Sequence, residues 1–129
     1  MLKFPKDLKF VKEASQKVLD SLSDLPLDSS TLFDIKLCFE EAFINAVKYS
    51  DKGDVGLTID VEVQKRGDHV ELIVRDHGKG FDYKNAQDPT REENLEKLGG
   101  RGIFLIKSLM DRVIFENNGS CLRMIKKIK

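Results

Sequence analysis

The stretch Val55-Gly-Leu-Thr-Ile-Asp-Val-Glu-Val-Gln-Lys-Arg-Gly-Asp-His-Val-Glu-Leu-Ile-Val-Arg75 decides the fold class. From Val55 to Val63 every odd position is apolar (Val55, Leu57, Ile59, Val61, Val63), while Gly56, Thr58, Asp60, Glu62 and Gln64 fill the positions between and just after them. A period of two places the apolar side chains on one face, which predicts a strand with one buried side. Arg66-Gly-Asp68 supplies a turn and Val70 to Val74 returns, so the pair reads as an antiparallel hairpin. Such a sheet needs a cover for its apolar face.

The segments before and after the hairpin provide it. Leu8, Val11, Val18, Leu22 and Leu25 recur at helical spacing with Ser15 in the gap, predicting an amphipathic helix over about residues 7–23, stopped by Pro26. A second helix can be capped by Asp28 or Ser29 and runs through Leu32, Ile35, Phe39, Phe43 and Ala46 to Tyr49, where Asp51-Lys-Gly-Asp54 breaks the pattern. Asp76 to Leu98 reads as a long polar loop, and long loops in compact domains are usually functional or mobile. Gly99-Gly-Arg-Gly102 then opens a short helix ending near Asp111. Strands follow at about 113–116 and 122–128, joined by Asn117-Asn-Gly-Ser120, with an extra strand at Leu2 to Phe4. The expected architecture is an α+β two-layer sandwich, three helices over a mixed, mostly antiparallel sheet, in a single domain over residues 1–129.

Composition narrows the function. A chain of 129 residues with 40% apolar and 34% charged side chains can bury a core and is unlike a disordered chain. Its 22 basic and 22 acidic residues give no net charge, which weighs against a general nucleic-acid or membrane-surface binder. That neutrality is a cancellation: residues 1–50 carry 7 basic and 8 acidic side chains, 51–100 carry 8 and 12, and 101–129 carry 7 and 2. Cys38 and Cys121 have no CxxC or Cys/His neighbours, so neither a disulfide framework nor a zinc site is written here. The first residues contain no signal-peptide run and no later segment is a membrane span, so a cytoplasmic location is expected.

Three clusters carry chemistry. Glu41, Asn45 and Lys48 fall at i, i+4 and i+7 of the second helix and share one face. An Asn carbonyl suits Mg²⁺, which takes few protein ligands and completes its octahedron with phosphate oxygens and water, and a carboxylate one turn away can polarise a hydroxyl. The plainer reading of this triplet is a solvated helix face. Asp76-His-Gly-Lys-Gly80 follows a buried strand, where the glycines admit close approach and the Asp can accept from an exocyclic amine; an ordinary strand-to-loop turn is its alternative. Gly99-Gly-Arg-Gly102 at a helix start can present amides to an anion, or be a glycine-rich helix start with no ligand. Neither a Walker nor a Rossmann glycine motif is present.

In this order the clusters resemble the N box and the two glycine boxes of the GHKL (Bergerat-fold) ATPase superfamily. The matching stretches are FEEAFINAVKYS (Phe39 to Ser50), DHGKGFD (Asp76 to Asp82) and GGRGIFLIKSLMDRV (Gly99 to Val113), within a resemblance spanning about Leu32 to Ile128. They look most like bacterial anti-sigma-factor serine/threonine protein kinases. The resemblance implies that Asn45 coordinates Mg²⁺, that Glu41 is the base or orients the attacking hydroxyl, and that Asp76 reads the adenine amine. It further implies that Gly78 and Gly80 admit the nucleotide, and that Gly100, Arg101 and Gly102 cradle phosphates under a lid spanning about Tyr83 to Gly99. Ser120 stands where the family more often has Thr near the adenine, and Lys48 is a phosphate contact by analogy with histidine kinases.

The implied activity is Mg-ATP-dependent phosphorylation of a small anti-anti-sigma antagonist, with regulation of a sigma factor, no direct nucleic-acid or membrane contact, and room for a homodimer. His77 occupies the variable slot of DxGxG and His69 flanks a turn, so neither is read as catalytic. Lys12, in the first helix, is a candidate partner contact, because the resembled family uses N-terminal segments for dimerisation and partner contact. Two other readings are a nucleotide-responsive binding module without phosphotransfer and a detached histidine-kinase-like catalytic domain. The latter is disfavoured because no histidine precedes His69 and because Glu41 stands where histidine kinases commonly carry Asn or His.

Overall fold

The computed structural model describes residues 1–49, 58–76, 100–116 and 120–128. The described strands are β1 (Leu2–Pro5), β2 (Thr58–Lys65), β3 (His69–Arg75), β4 (Arg112–Glu116) and β5 (Cys121–Lys127), and the helices are α1 (Val11–Ser21), α2 (Ser29–Tyr49) and α3 (Gly100–Leu109). His77, Gly78, Gly80, the lid over 83–99 and the expected strand start at Val55 and Leu57 lie outside the described residues.

The five strands described form one sheet in the order β1-β2-β3-β5-β4, and all four described ladders are antiparallel. The hairpin register sets Val61 opposite Val74 and Val63 opposite Leu72, so the alternation read from the sequence becomes one continuous apolar face. Helices α1 to α3 cover that face. Phe4, Val18, Leu22, Ile35, Phe39, Phe43, Ile59, Val61, Leu72, Ile106 and Met124 join the resulting core, in which Phe43 meets Phe4 edge-on at 6.0 Å between ring centroids.

Helix ends follow local chemistry. The Asp28 carboxylate accepts from Thr31 N at 2.7 Å, so of the two candidate caps Asp28 is the one used for α2. The expected first helix is divided. Asp7 is extended and accepts from Lys9 N at 3.0 Å, and a 3-10 turn over Leu8–Phe10 precedes α1, which leaves Leu8 exposed rather than in the core stripe. On the outer face of the sheet Asp60 is buried, contrary to the simple alternation. Thr58 Oγ1 donates to it at 2.7 Å and Lys3 of the neighbouring strand lies 3.9 Å away.

Helices α2 and α3 run side by side and are joined near the α3 C-terminus. Lys126 Nζ donates to the carbonyl oxygen of Leu109 at 2.6 Å and lies 3.5 Å from Asp34 of α2. A cation at a helix C-terminus meets the carbonyls that the helix leaves unpaired.

Candidate nucleotide site

Helix α2 delivers Glu41, Asn45 and Lys48 to successive turns of one face, and the sheet decides their surroundings. Asn45 is buried, Glu41 is half-buried and Lys48 is exposed. Beneath Asn45 lies a cleft bounded by Ala42 and Ala46 of α2, Val74 and Asp76 at the end of β3, Ile103 of α3, and Phe115, Ser120 and Leu122 of the last hairpin. Two alanines one turn apart leave the room that longer side chains would fill.

Asp76 lines this cleft and is 6% exposed. Its amide donates to the carbonyl oxygen of Ser120 at 2.8 Å, which carries the β3–β5 pairing one step past Arg75 and Cys121 and fixes the two polar residues together. Ser120 is itself buried. Asn45, Asp76 and Ser120 thus line one cleft, although 75 positions separate the first from the last.

Beside the cleft, where Asn45 and Ile103 both line it, the first turn of α3 meets α2. A Cβ on Gly102 would lie 2.7 Å from Glu41 Oε2 and 3.3 Å from Asn45 Nδ2. Gly100 and Arg101 occupy the first positions of the same helix. Glu41, Asn45 and the amide-bearing start of a helix thus converge. Among the described residues no group of three His, Cys, Asp or Glu side chains could hold a metal. The Glu41 carboxylate and the Asn45 amide oxygen are hard donors of the kind that suit Mg²⁺, which takes few protein ligands.

The apolar walls of the cleft were not read from the sequence as site residues. Ala42, Val74, Ile103, Phe115 and Leu122 look like core positions, and Ala46 belongs to the apolar stripe of the second helix. A usable signal was present in Ala42 and Ala46, small residues one turn apart on the helix that carries Glu41 and Asn45. The pairing of Phe115 with Leu122 emerges only from the β4–β5 register.

A buried carboxylate and apolar walls lining the cleft, with an Asn, a Glu and a helix start meeting beside it, in a two-layer α+β fold, define a GHKL-type ATPase domain. The chain belongs to the histidine kinase-like ATPase domain family, which it matches over residues 4–126. Among its relatives, the serine-protein kinase RsbW of Staphylococcus aureus strain MRSA252 is 36% identical over 105 residues, covering 74% of this chain and 65% of that protein. The RsbW of strain Newman is 35% identical over the same shares. The chain thus spans about 65% of the length of these curated relatives.

Solved structures agree on the fold. The histidine kinase domain of the Erythrobacter litoralis blue-light activated histidine kinase superposes with a TM-score of 0.56 at 15% identity, covering 97% of this chain and 62% of that one. The mycobacterial sensor histidine kinase MprB gives 0.51 at 20% identity, covering 98% and 97%. No described helix is long and apolar enough to cross a membrane.

Proposed function

We propose that this protein binds Mg-ATP and transfers its γ-phosphoryl group to a serine or threonine of a small antagonist protein of the anti-anti-sigma class, thereby controlling a sigma factor. The observation that carries this reading is the meeting of Glu41 and Asn45 with the first turn of α3, beside a cleft that Asn45 and the buried Asp76 both line. The likeness to serine-protein kinases supports it.

Asp76 accepts from the exocyclic amine of adenine, and Ala42, Ala46, Phe115 and Leu122 take the faces of the ring. Ser120 holds the Asp76 backbone in place. Gly78, Gly80, Gly100, Arg101 and Gly102 line the approach and cradle of the phosphates, with Lys48 as a further phosphate contact. The Asn45 carbonyl oxygen would hold Mg²⁺, and the ion would supply charge neutralisation at the phosphates. Glu41 orients the attacking hydroxyl and accepts its proton as the oxygen–phosphorus bond forms and the bond to ADP breaks. Phosphoryl transfer asks mainly for positioning and charge stabilisation, which such a site can give. Residence in the cytoplasm and a homodimeric state belong to the same proposal.

The test is incubation with labelled ATP and a candidate antagonist. Phosphoprotein is the expected result; complex formation without label would support the nucleotide-responsive binding module instead. Glu41→Ala is expected to keep measurable ATP binding while transfer falls by roughly 100-fold or more, the scale of a lost general base. Unchanged transfer in that variant would remove Glu41 from the chemistry.

A further inference from the structure

Gly102 is buried in the first turn of α3 and its backbone is helical, so no left-handed conformation demands glycine there. Glycine is a poorer helix former than alanine, which leaves space as the reason for it. A Cβ at this position would stand 2.7 Å from Glu41 Oε2 and 3.6 Å from Glu41 Cδ, inside van der Waals contact with the first. The neighbouring Asn45 amide, at 3.3 Å, would have to give only slightly.

Of the parts that meet here, the Glu41 carboxylate is the one that yields. It ends a flexible side chain with three rotatable bonds. The helix, by contrast, is anchored at its far end by Lys126 on the Leu109 carbonyl and packed through Ile103 and Ile106. Adding one methyl group at residue 102 therefore swings the carboxylate out of its slot and leaves the fold standing. A carboxylate beside the first turn of a helix also lies in the favourable end of the helix dipole, which gives the slot an electrostatic as well as a steric basis.

We propose that Gly102 is a positioning residue for Glu41: its missing side chain makes the slot between α2 and α3 that aims the carboxylate. This role is separate from any contact of residue 102 with phosphate. Its consequence for transfer rests on the kinase reading, whereas the slot itself does not.

The test uses Gly102→Ala, Glu41→Ala and the double variant. In protein labelled with ¹³C at glutamate side-chain carboxyls, the Glu41 resonance, identified by its loss in Glu41→Gln, moves in Gly102→Ala without nucleotide, and the unfolding temperature is maintained or raised. An unmoved resonance would overturn the proposal. At saturating Mg-ATP, kcat for phosphotransfer falls roughly 100-fold in Gly102→Ala, as a misplacement of about 1 Å can cause. An unchanged kcat alongside a moved resonance would likewise overturn it.

The double variant covers the case in which Gly102→Ala folds poorly, since without the carboxylate the new methyl group is accommodated. Adding Gly102→Ala to Glu41→Ala then lowers the residual kcat far less than the roughly 100-fold seen in the parent, whereas an equal fold-loss in both backgrounds would assign residue 102 to the phosphates alone and overturn the positioning role. Absence of any transfer by the unaltered protein would refute the kinase reading, while the resonance would still decide whether Gly102 holds the Glu41 carboxylate in its slot.

Discussion

Cys38 shows how the site reaches into the core. It lies on α2 three residues before Glu41, is fully buried, and carries a free thiol. Burial pushes its pKa up to about 11; Asp34 and Glu41 add to the rise while Lys126 opposes it. A thiol whose pKa is raised in the native state contributes stability below its unfolded value, and that contribution is lost as pH rises through the native one. Between about pH 9 and 11 the unfolded chain has released this proton and the native chain has not, so the thiol alone makes stability fall by about 1.4 kcal/mol per pH unit. Urea titrations across that range should show a shallower decline for Cys38→Ala than for the parent; parallel declines would mean that Cys38 ionises normally. Nothing in the sequence marked this residue beyond its isolation from other metal-ligand types. Its environment is made by Asp34 and Glu41 on its own helix and by Lys126 from a strand 88 positions away.

Lys126 joins elements that local sequence cannot connect. Its ammonium caps α3 through the Leu109 carbonyl and approaches Asp34 of α2, and the side chain is only 17% exposed. Lys126→Met keeps the apolar stem and deletes the charge, so it should cost about 1–2 kcal/mol in chemical denaturation, as expected for a charged hydrogen bond at a helix end. A loss near zero would show the clamp to be idle. The elements themselves were legible: periodicity gave α2, the central hairpin and the final hairpin, and Pro26 separated the first two helices. Two departures have tertiary or capping causes. Asp60 sits on the polar side of β2 but is buried because Lys3 and Thr58 come to it, and the first helix divides because Asp7 favours a 3-10 turn. Glu41, Asn45 and Asp76 were legible as candidates through the spacing of the motifs that contain them, and the structure buries Asn45 and Asp76. The cleft walls were not legible, because an apolar residue facing a ligand and one facing the core look alike in sequence.

At the scale of the molecule, the zero net charge conceals a basic final quarter, and the fold shows where part of that charge goes. Arg123 donates to Glu71 at 3.0 Å and also to Glu116, and Lys126 is engaged by Asp34 and Leu109, so these two cations are neutralised within the structure. The cleft, in turn, is bounded by α2, β3, α3 and the last hairpin, segments drawn from nearly the whole chain. A nucleotide bound there must tie these segments together and stabilise the native state by mass action, by about 2.7 kcal/mol at a concentration 100 times its Kd. For a domain of this size that corresponds to a rise in unfolding temperature of roughly 10 °C. Mg-ATP should therefore give a rise of this order, and Asp76→Ala should remove most of it. GTP should give little, since guanine turns a carbonyl oxygen toward the carboxylate where adenine turns an amine. The comparison is best made by calorimetry on both proteins with each nucleotide; an equal rise for ATP with Asp76→Ala would place the base outside this cleft.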